Sequence, residues 1–139
     1  MEELKFSMTE LLKSDTANKY KISNIPNGEE MNNLLNLIYY VLQPLRIYLN
    51  KPVIITSGYR CAKVNKLVGG AVDSNGNPKS QHCKGQAADF HVNGLTIAQL
   101  IDKIKKSGIE YDQLINEYNK WVHISFAKGK NRKQCFKIS

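Results

Sequence analysis

The sequence predicts an α+β domain. Apolar residues recur at three- and four-residue steps from Glu29 to about Leu49, the spacing of an amphipathic helix. The short β-branched run Pro52-Val53-Ile54-Ile55-Thr56 reads instead as a strand. Tyr111 to Tyr118 and Trp121 to Ala127 are two apolar segments placed closely enough to form a hairpin. With 139 residues and 42% apolar residues, the chain is read as one domain, 1–139, with material for one core.

The elements follow in order. Ser7-Met8-Thr9-Glu10 is a start signal for a short helix through Leu12, since a Ser or Thr followed by Glu can satisfy free backbone amides. Ser14-Asp15-Thr16-Ala17 reads as a turn or a second cap, and Ile25-Pro26-Asn27-Gly28 as a loop. In the long helix Met31, Leu34, Leu35, Ile38, Val41, Leu42 and Leu45 form one stripe, which reads as core. Pro44 lies inside that stripe and should kink the helix or start a new turn, because it lacks a donor and crowds the preceding turn. After the 52–56 strand, Ser57-Gly58-Tyr59-Arg60 is a turn, and a short helix over Ala62 to Leu67 stops at Gly69-Gly70. Val72 to Lys79 is a polar loop. Gln86 to Val92 is a strand. Thr96 to Lys106 is a helix burying Ile97, Leu100, Ile101 and Ile104, stopped by Gly108. Cys135-Phe136-Lys137-Ile138 adds an edge strand.

Composition narrows the partners. Twenty Lys and Arg against twelve Asp and Glu give a formal charge of +8, which favours anionic partners such as nucleic acid, membrane or wall polymer. A solvated surface would show the same excess. The basic residues are scattered, with local runs at Lys103-Lys105-Lys106 and Lys128 to Lys133, and no nucleic-acid motif accompanies them. No apolar run approaches the length of a membrane span, and MEELKFSMTELLKSD lacks the apolar region of a signal peptide. The three cysteines, Cys61, Cys83 and Cys135, are an odd number at no familiar spacing, so free thiols in a reducing compartment are expected. Cys83 adjoins His82 but should point away from it on an extended chain.

The chemistry concentrates in Ser80-x-His82-x-x-Gly85-x-Ala87-x-Asp89 and in Trp121-Val122-His123. Two imidazoles and one carboxylate make a ligand set for zinc that leaves one position open, as catalytic zinc sites do. Gly85, Ala87 and Ala88 let backbone approach closely. Asp89 within Ala-Ala-Asp-Phe-His-Val is costly to bury unpaired, and a metal would account for it. A nearby Arg or backbone amides would account for it too. His123 shares a strand face with Trp121 and Ser125, where a hydrogen-bonded core histidine is the ordinary case. His91 shares a face with Asp89 by the same period of two, so strand geometry leaves it open as the third ligand.

Ser80-x-His82-x6-Asp89 with Trp121-x-His123 resembles the signature of zinc D-Ala-D-Ala carboxypeptidases and the related peptidoglycan peptidases of bacteriophages. Ile55-Thr56-Ser57-Gly58-Tyr59-Arg60, Asn65-x-x-Val68-Gly69-Gly70-Ala71 and Glu117-Tyr118 resemble further segments of that family. Met8-Thr9-Glu10-Leu11 and Ser14-Asp15-Thr16-Ala17 are similar to its small phage and prophage branch. The resemblance implies the Hedgehog/DD-peptidase fold, a small α+β one whose antiparallel sheet carries the metal. It implies His82, Asp89 and His123 as zinc ligands with His91 as a neighbour.

It also implies roles. A carboxylate near the metal handles protons in such a reaction. Many relatives carry it three residues before the last His, where this chain has Lys120; the phage branch carries a Glu further upstream, as Glu117 stands here. A two-residue turn at Asn119-Lys120 would pair Glu117 with Val122 and face it away from His123. A three-residue turn over Asn119 to Trp121 would pair Glu117 with His123, and the odd-length turn is expected. Asp112 or a bulged Glu110 stands in reserve. Arg60 is expected to meet a substrate carboxylate or developing oxyanion. Ser80 and Gln81 are candidate donors at the site, though Ser80 can equally shape the turn, and Trp121 is expected to pack or wall the pocket.

The implied activity is zinc-dependent hydrolysis of peptide bonds in bacterial peptidoglycan, by a D-Ala-D-Ala carboxypeptidase or a phage endolysin-type endopeptidase. The alternative is an inactive zinc-containing wall-binding or virion protein of the same fold. A monomer is expected, made in the cytoplasm of the host bacterium and acting on the cell wall after release, without membrane insertion or specific nucleic-acid binding.

Overall fold

The computed structural model describes residues 3–139, so Met1 and Glu2 of the expected 1–139 domain lie outside the described residues. Side-chain caps set the first three helix starts, two of them reciprocally. Ser7 Oγ accepts from Glu10 N at 3.2 Å while Glu10 Oε1 accepts from Ser7 N at 3.1 Å, which opens α1 (Met8–Leu12). Ser14 caps α2 (Asp15–Lys19) through the amide of Ala17. Asn27 and Glu30 form the same box at the start of α3 (Gly28–Leu37).

The long predicted helix is divided into three segments, and Pro44 starts a new turn, one of the two outcomes expected of it. A π turn over Ile38–Leu42 joins α3 to α4 (Gln43–Leu49), and Pro44 falls in the first turn of α4. A wider turn immediately before a proline relieves the clash of its ring and its missing donor. Asn50, left-handed at φ 51°, ends the helix.

Among the described residues five strands form one sheet in the order β1-β2-β4-β3-β5. β1 (Ile54–Ser57) begins later than predicted, beyond Pro52 and Val53. α5 (Ala62–Leu67) follows it, then a 3₁₀ turn, Gln81–Lys84, that the sequence did not announce. β2 (Ala87–His91), α6 (Ile97–Lys106), β3 (Gln113–Glu117), β4 (Trp121–Ser125) and β5 (Gln134–Ile138) complete the chain. β1, β2, β4 and β3 are antiparallel neighbours, as expected of the sheet that carries the site. β5 is the predicted edge strand, and it joins β3 in parallel because the chain crosses beyond β3 after leaving β4.

Alternation along the strands divides the sheet into two faces. Ala88 and Phe90 of β2, Leu114 of β3, and Val122 and Ile124 of β4 are fully buried against Leu34, Leu37, Val41, Leu42 and Leu45 and against Leu100 and Ile104 of α6. The other face carries Asp89, His123, Trp121 and Glu117. The core thus fixes the sheet from one side and leaves the polar residues of the opposite side in defined positions. No helix among the described residues is long and apolar enough to cross a membrane.

Candidate metal centre

Asp89 and His123 are direct partners in the antiparallel register of β2 and β4. Directly opposed residues project to the same face at close range. His123 Nδ1 lies 2.9 Å from Asp89 Oδ1. His82 comes from the 3₁₀ turn, and its Nε2 lies 3.3 Å from the same oxygen. One ligand atom from each of the three residues lies within 4.8 Å of the others, and all three residues are buried.

The turn that delivers His82 is held from several sides. Ser80 Oγ accepts from the His82 amide at 3.2 Å, and Arg60 N donates to the His82 carbonyl at 3.1 Å. Gly85 closes the turn at φ +74°, and a Cβ there would stand 2.3 Å from the Glu30 carbonyl oxygen, so only glycine lets the turn sit on α3. The imidazole is oriented by the backbone: His82 Nδ1 lies 2.7 Å from the Gly58 carbonyl. A carbonyl only accepts, so Nδ1 carries a proton there, and Nε2 is the ring nitrogen that faces Asp89. This is the arrangement found behind histidines that bind metals.

Burial acts to raise Asp89, but hydrogen bonds from His123 and His82 outweigh it and hold the carboxyl well below the usual range. Asp89 is therefore an anion, enclosed with two imidazoles whose ring nitrogens converge on it. Nitrogen and oxygen donors of this kind suit zinc, and three of them leave a position free.

Glu117 stands on the same face. The hairpin turn has three residues, Tyr118 to Lys120, with Tyr118 and Asn119 at positive φ. The odd length is as expected, but the register differs: Glu117 pairs with Trp121, and Ile115 pairs with His123. The turn lies one residue earlier because Tyr118 takes the left-handed conformation and Asn116 Oδ1 accepts from the Asn119 amide at 2.9 Å. Since Trp121 and His123 share a face, Glu117 still reaches the centre, with Oε1 3.6 Å from His123 Nδ1. Burial, reinforced by the Asp89 charge, raises Glu117 above the ordinary carboxylate range, although His123 and His82 act the other way. The buried Trp121 indole nitrogen lies beside this carboxylate without completing a hydrogen bond.

Arg60 Nη2 donates to Ser80 Oγ at 3.0 Å, and its Nε is buried with no hydrogen-bond partner among the described residues. Ser80 thus links Arg60 to the His82 turn. Gln81 directs its amide to Asp112 Oδ2 at 3.0 Å and toward Gln86 at 3.4 Å, so its donors are engaged beside the turn. His91 ends β2, opposite the start of β4 and outside the converging set. Cys83 is also outside that set, and all three cysteines are free thiols.

The sequence did not reveal the Asp112–Arg132 latch. Asp112, buried at the head of β3, accepts from Arg132 Nε at 2.9 Å, Nη2 at 2.7 Å and the Arg132 amide at 2.8 Å. Arg132, with burial opposing and Gln81 assisting, pulls its carboxyl down to about 2. Asp112 is thereby committed to structure. Arg132 sat in an undifferentiated basic tail and carried no pattern that pointed to it.

The family model for Peptidase M15 matches residues 4–125, a span that contains every residue of the centre. No curated protein matches the chain.

Proposed function

We propose, on the premise that the chain belongs to the Peptidase M15 family of zinc peptidases, that it hydrolyses peptide bonds in bacterial peptidoglycan. The observation that carries the reading is the convergence of His82, Asp89 and His123, with Glu117 on the same face of the sheet. His82, through Nε2, His123, through Nδ1, and Asp89 would hold the zinc ion. When bound, zinc supplies a Lewis acid for a peptide carbonyl and lowers the pKa of a water toward about 7.

The chain's own residues divide the remaining work. Glu117 takes the proton released by the attacking water and returns it to the leaving amine, a role suited to a carboxylate with a raised pKa. Arg60 has guanidinium donors to offer a substrate carboxylate or the developing oxyanion, and its unpartnered Nε supports that role. Ser80 holds Arg60 in place. The formal charge of +8 suits an anionic wall. The peptidoglycan substrate rests on the motif resemblance and this charge, and it covers both a terminal D-Ala-D-Ala bond and an internal stem-peptide or cross-bridge bond.

Purified peptidoglycan digested with and without chelator, with products identified by mass, tests the reading. Chelator-sensitive release of peptide or D-alanine that His82→Ala abolishes is the expected result. A protein that holds zinc yet releases nothing would instead be a wall-binding relative.

A further inference from the structure

A cleft of about 570 Å³ opens at the end of β2. It is lined by His91, by the Asn93-to-Thr96 turn, by the start of α6, and by Asn119 and Lys120 of the β3–β4 hairpin. The residues around it are charged in one sense. Lys120 is exposed at the hairpin tip and makes no ion pair among the described residues. Lys51 reaches the same turn from the end of α4: a Cβ on Gly94 would lie 3.8 Å from its Nζ. Lys51 also has no ion-pair partner among the described residues. Among the described residues no carboxylate lines the cleft.

Exposed lysines are ordinary, and their charge alone says little. Their place relative to the centre is what matters. His91 lies two residues beyond Asp89 on the same strand face, roughly 7 Å along β2. Arg60 lies on the other side: Ser57 of β1 pairs with Asp89 and Ile54 pairs with His91, and the chain continues past Ser57 to Arg60, away from His91. The metal-facing groups therefore sit between Arg60 at one end and the cationic cleft at the other. An extended peptide advances about 3.3–3.6 Å per residue, so about two residues span the distance from the centre to the cleft.

We propose that this cleft is a substrate subsite for a carboxylate carried about two residues to the N-terminal side of the scissile bond. The inference rests on the peptidase reading above, with Arg60 taking the C-terminal side. Two ammonium groups and an imidazole give a carboxylate charge-assisted hydrogen bonds. A carboxamide at the same place offers no charge for the lysines to meet. His91 and Lys120, neither of which is needed to hold the metal, thereby gain a role in choosing the substrate.

The test uses the zinc-loaded full chain and two synthetic peptides that differ only in carboxylate against carboxamide at that position. Binding is measured by calorimetry and cleavage products are followed in parallel. The carboxylate peptide should bind about ten-fold tighter. The double variant Lys51→Ala, Lys120→Ala should bind the two peptides equally, and Lys51→Arg with Lys120→Arg should keep the preference. Equal binding by the wild-type chain, no binding of either peptide, or a preference that survives loss of both lysines overturns the subsite. Discrimination without cleavage supports the subsite and counts against the hydrolytic reading alone. Cleavage of both peptides with equal affinity does the reverse.

Discussion

Glu117 and Trp121 stand directly opposite one another on β3 and β4, and this pairing sets the Glu117 carboxylate 3.6 Å from His123. Shortening or lengthening the turn by one residue would move Glu117 to the core face. Glu117→Gln keeps the shape and removes the proposed proton acceptor. Its kcat should fall by about 10²–10⁴-fold while zinc content per chain and thermal midpoint stay near wild type. Retention of wild-type kcat would remove Glu117 from the reaction.

Burial and the Asp89 charge raise Glu117 in the metal-free chain, and a bound zinc ion would act the other way. The working form is the carboxylate, hence activity should fall as Glu117 takes up a proton at low pH. A rate profile should show an acidic limb, and the limb should vanish from the residual activity of Glu117→Gln. An unchanged limb in the variant would assign it to another group.

Gly85 holds the His82 turn against α3 at φ +74°, where a Cβ would stand 2.3 Å from the Glu30 carbonyl oxygen. Gly85→Ala must shift one backbone against the other, at a cost of about 2–4 kcal/mol. Chemical denaturation should report that loss, and zinc affinity should weaken with it because His82 belongs to the same turn. A fully stable variant with wild-type zinc affinity would show the turn to be tolerant.

Asp112 is pulled down to about 2 by Arg132. A depressed carboxyl contributes stability that is present above its unfolded pKa of about 3.9 and is lost as pH falls toward 2. The Arg132 side chain is 53% exposed, so solvent screening limits the contribution to about 1–2 kcal/mol. Denaturation curves for the wild type and Asp112→Asn should therefore differ at pH 6 and converge between pH 4 and 2. A constant gap across that range would contradict the latch.

Arg60 presents a planar fork, which a lysine does not reproduce. Arg60→Lys should raise KM or lower kcat by about ten-fold or more on a substrate with a free carboxylate. Equal kinetics for the lysine variant would reduce Arg60 to a partner of Ser80.

Much of this was legible because it depends on local chemistry. The caps at Ser7 and Ser14 and the stripe from Met31 to Leu45 follow from neighbouring residues and helical period. So does the presence of Asp89 and His123 on strands. Other features depend on distant segments. Strand period alone could not separate His91 from the metal-facing groups, since it shares a face with Asp89; the opposition of Asp89 to His123 across β2 and β4 is what separates them. The Gly58 carbonyl that orients His82 comes from another part of the chain, as does the Arg132 that secures Asp112. Turn length decided Glu117, and it depended on Tyr118 adopting a left-handed backbone that tyrosine seldom takes.

On the proposed function, His82, Asp89 and His123 hold a zinc ion that the hydrolysis requires. The most direct measurement is amine release from peptidoglycan by metal-stripped protein as zinc is titrated back. Activity should rise in proportion to zinc, level off at one equivalent per chain, and stay absent in His82→Ala at every point. Full activity in the stripped protein, or undiminished activity in His82→Ala, would contradict it.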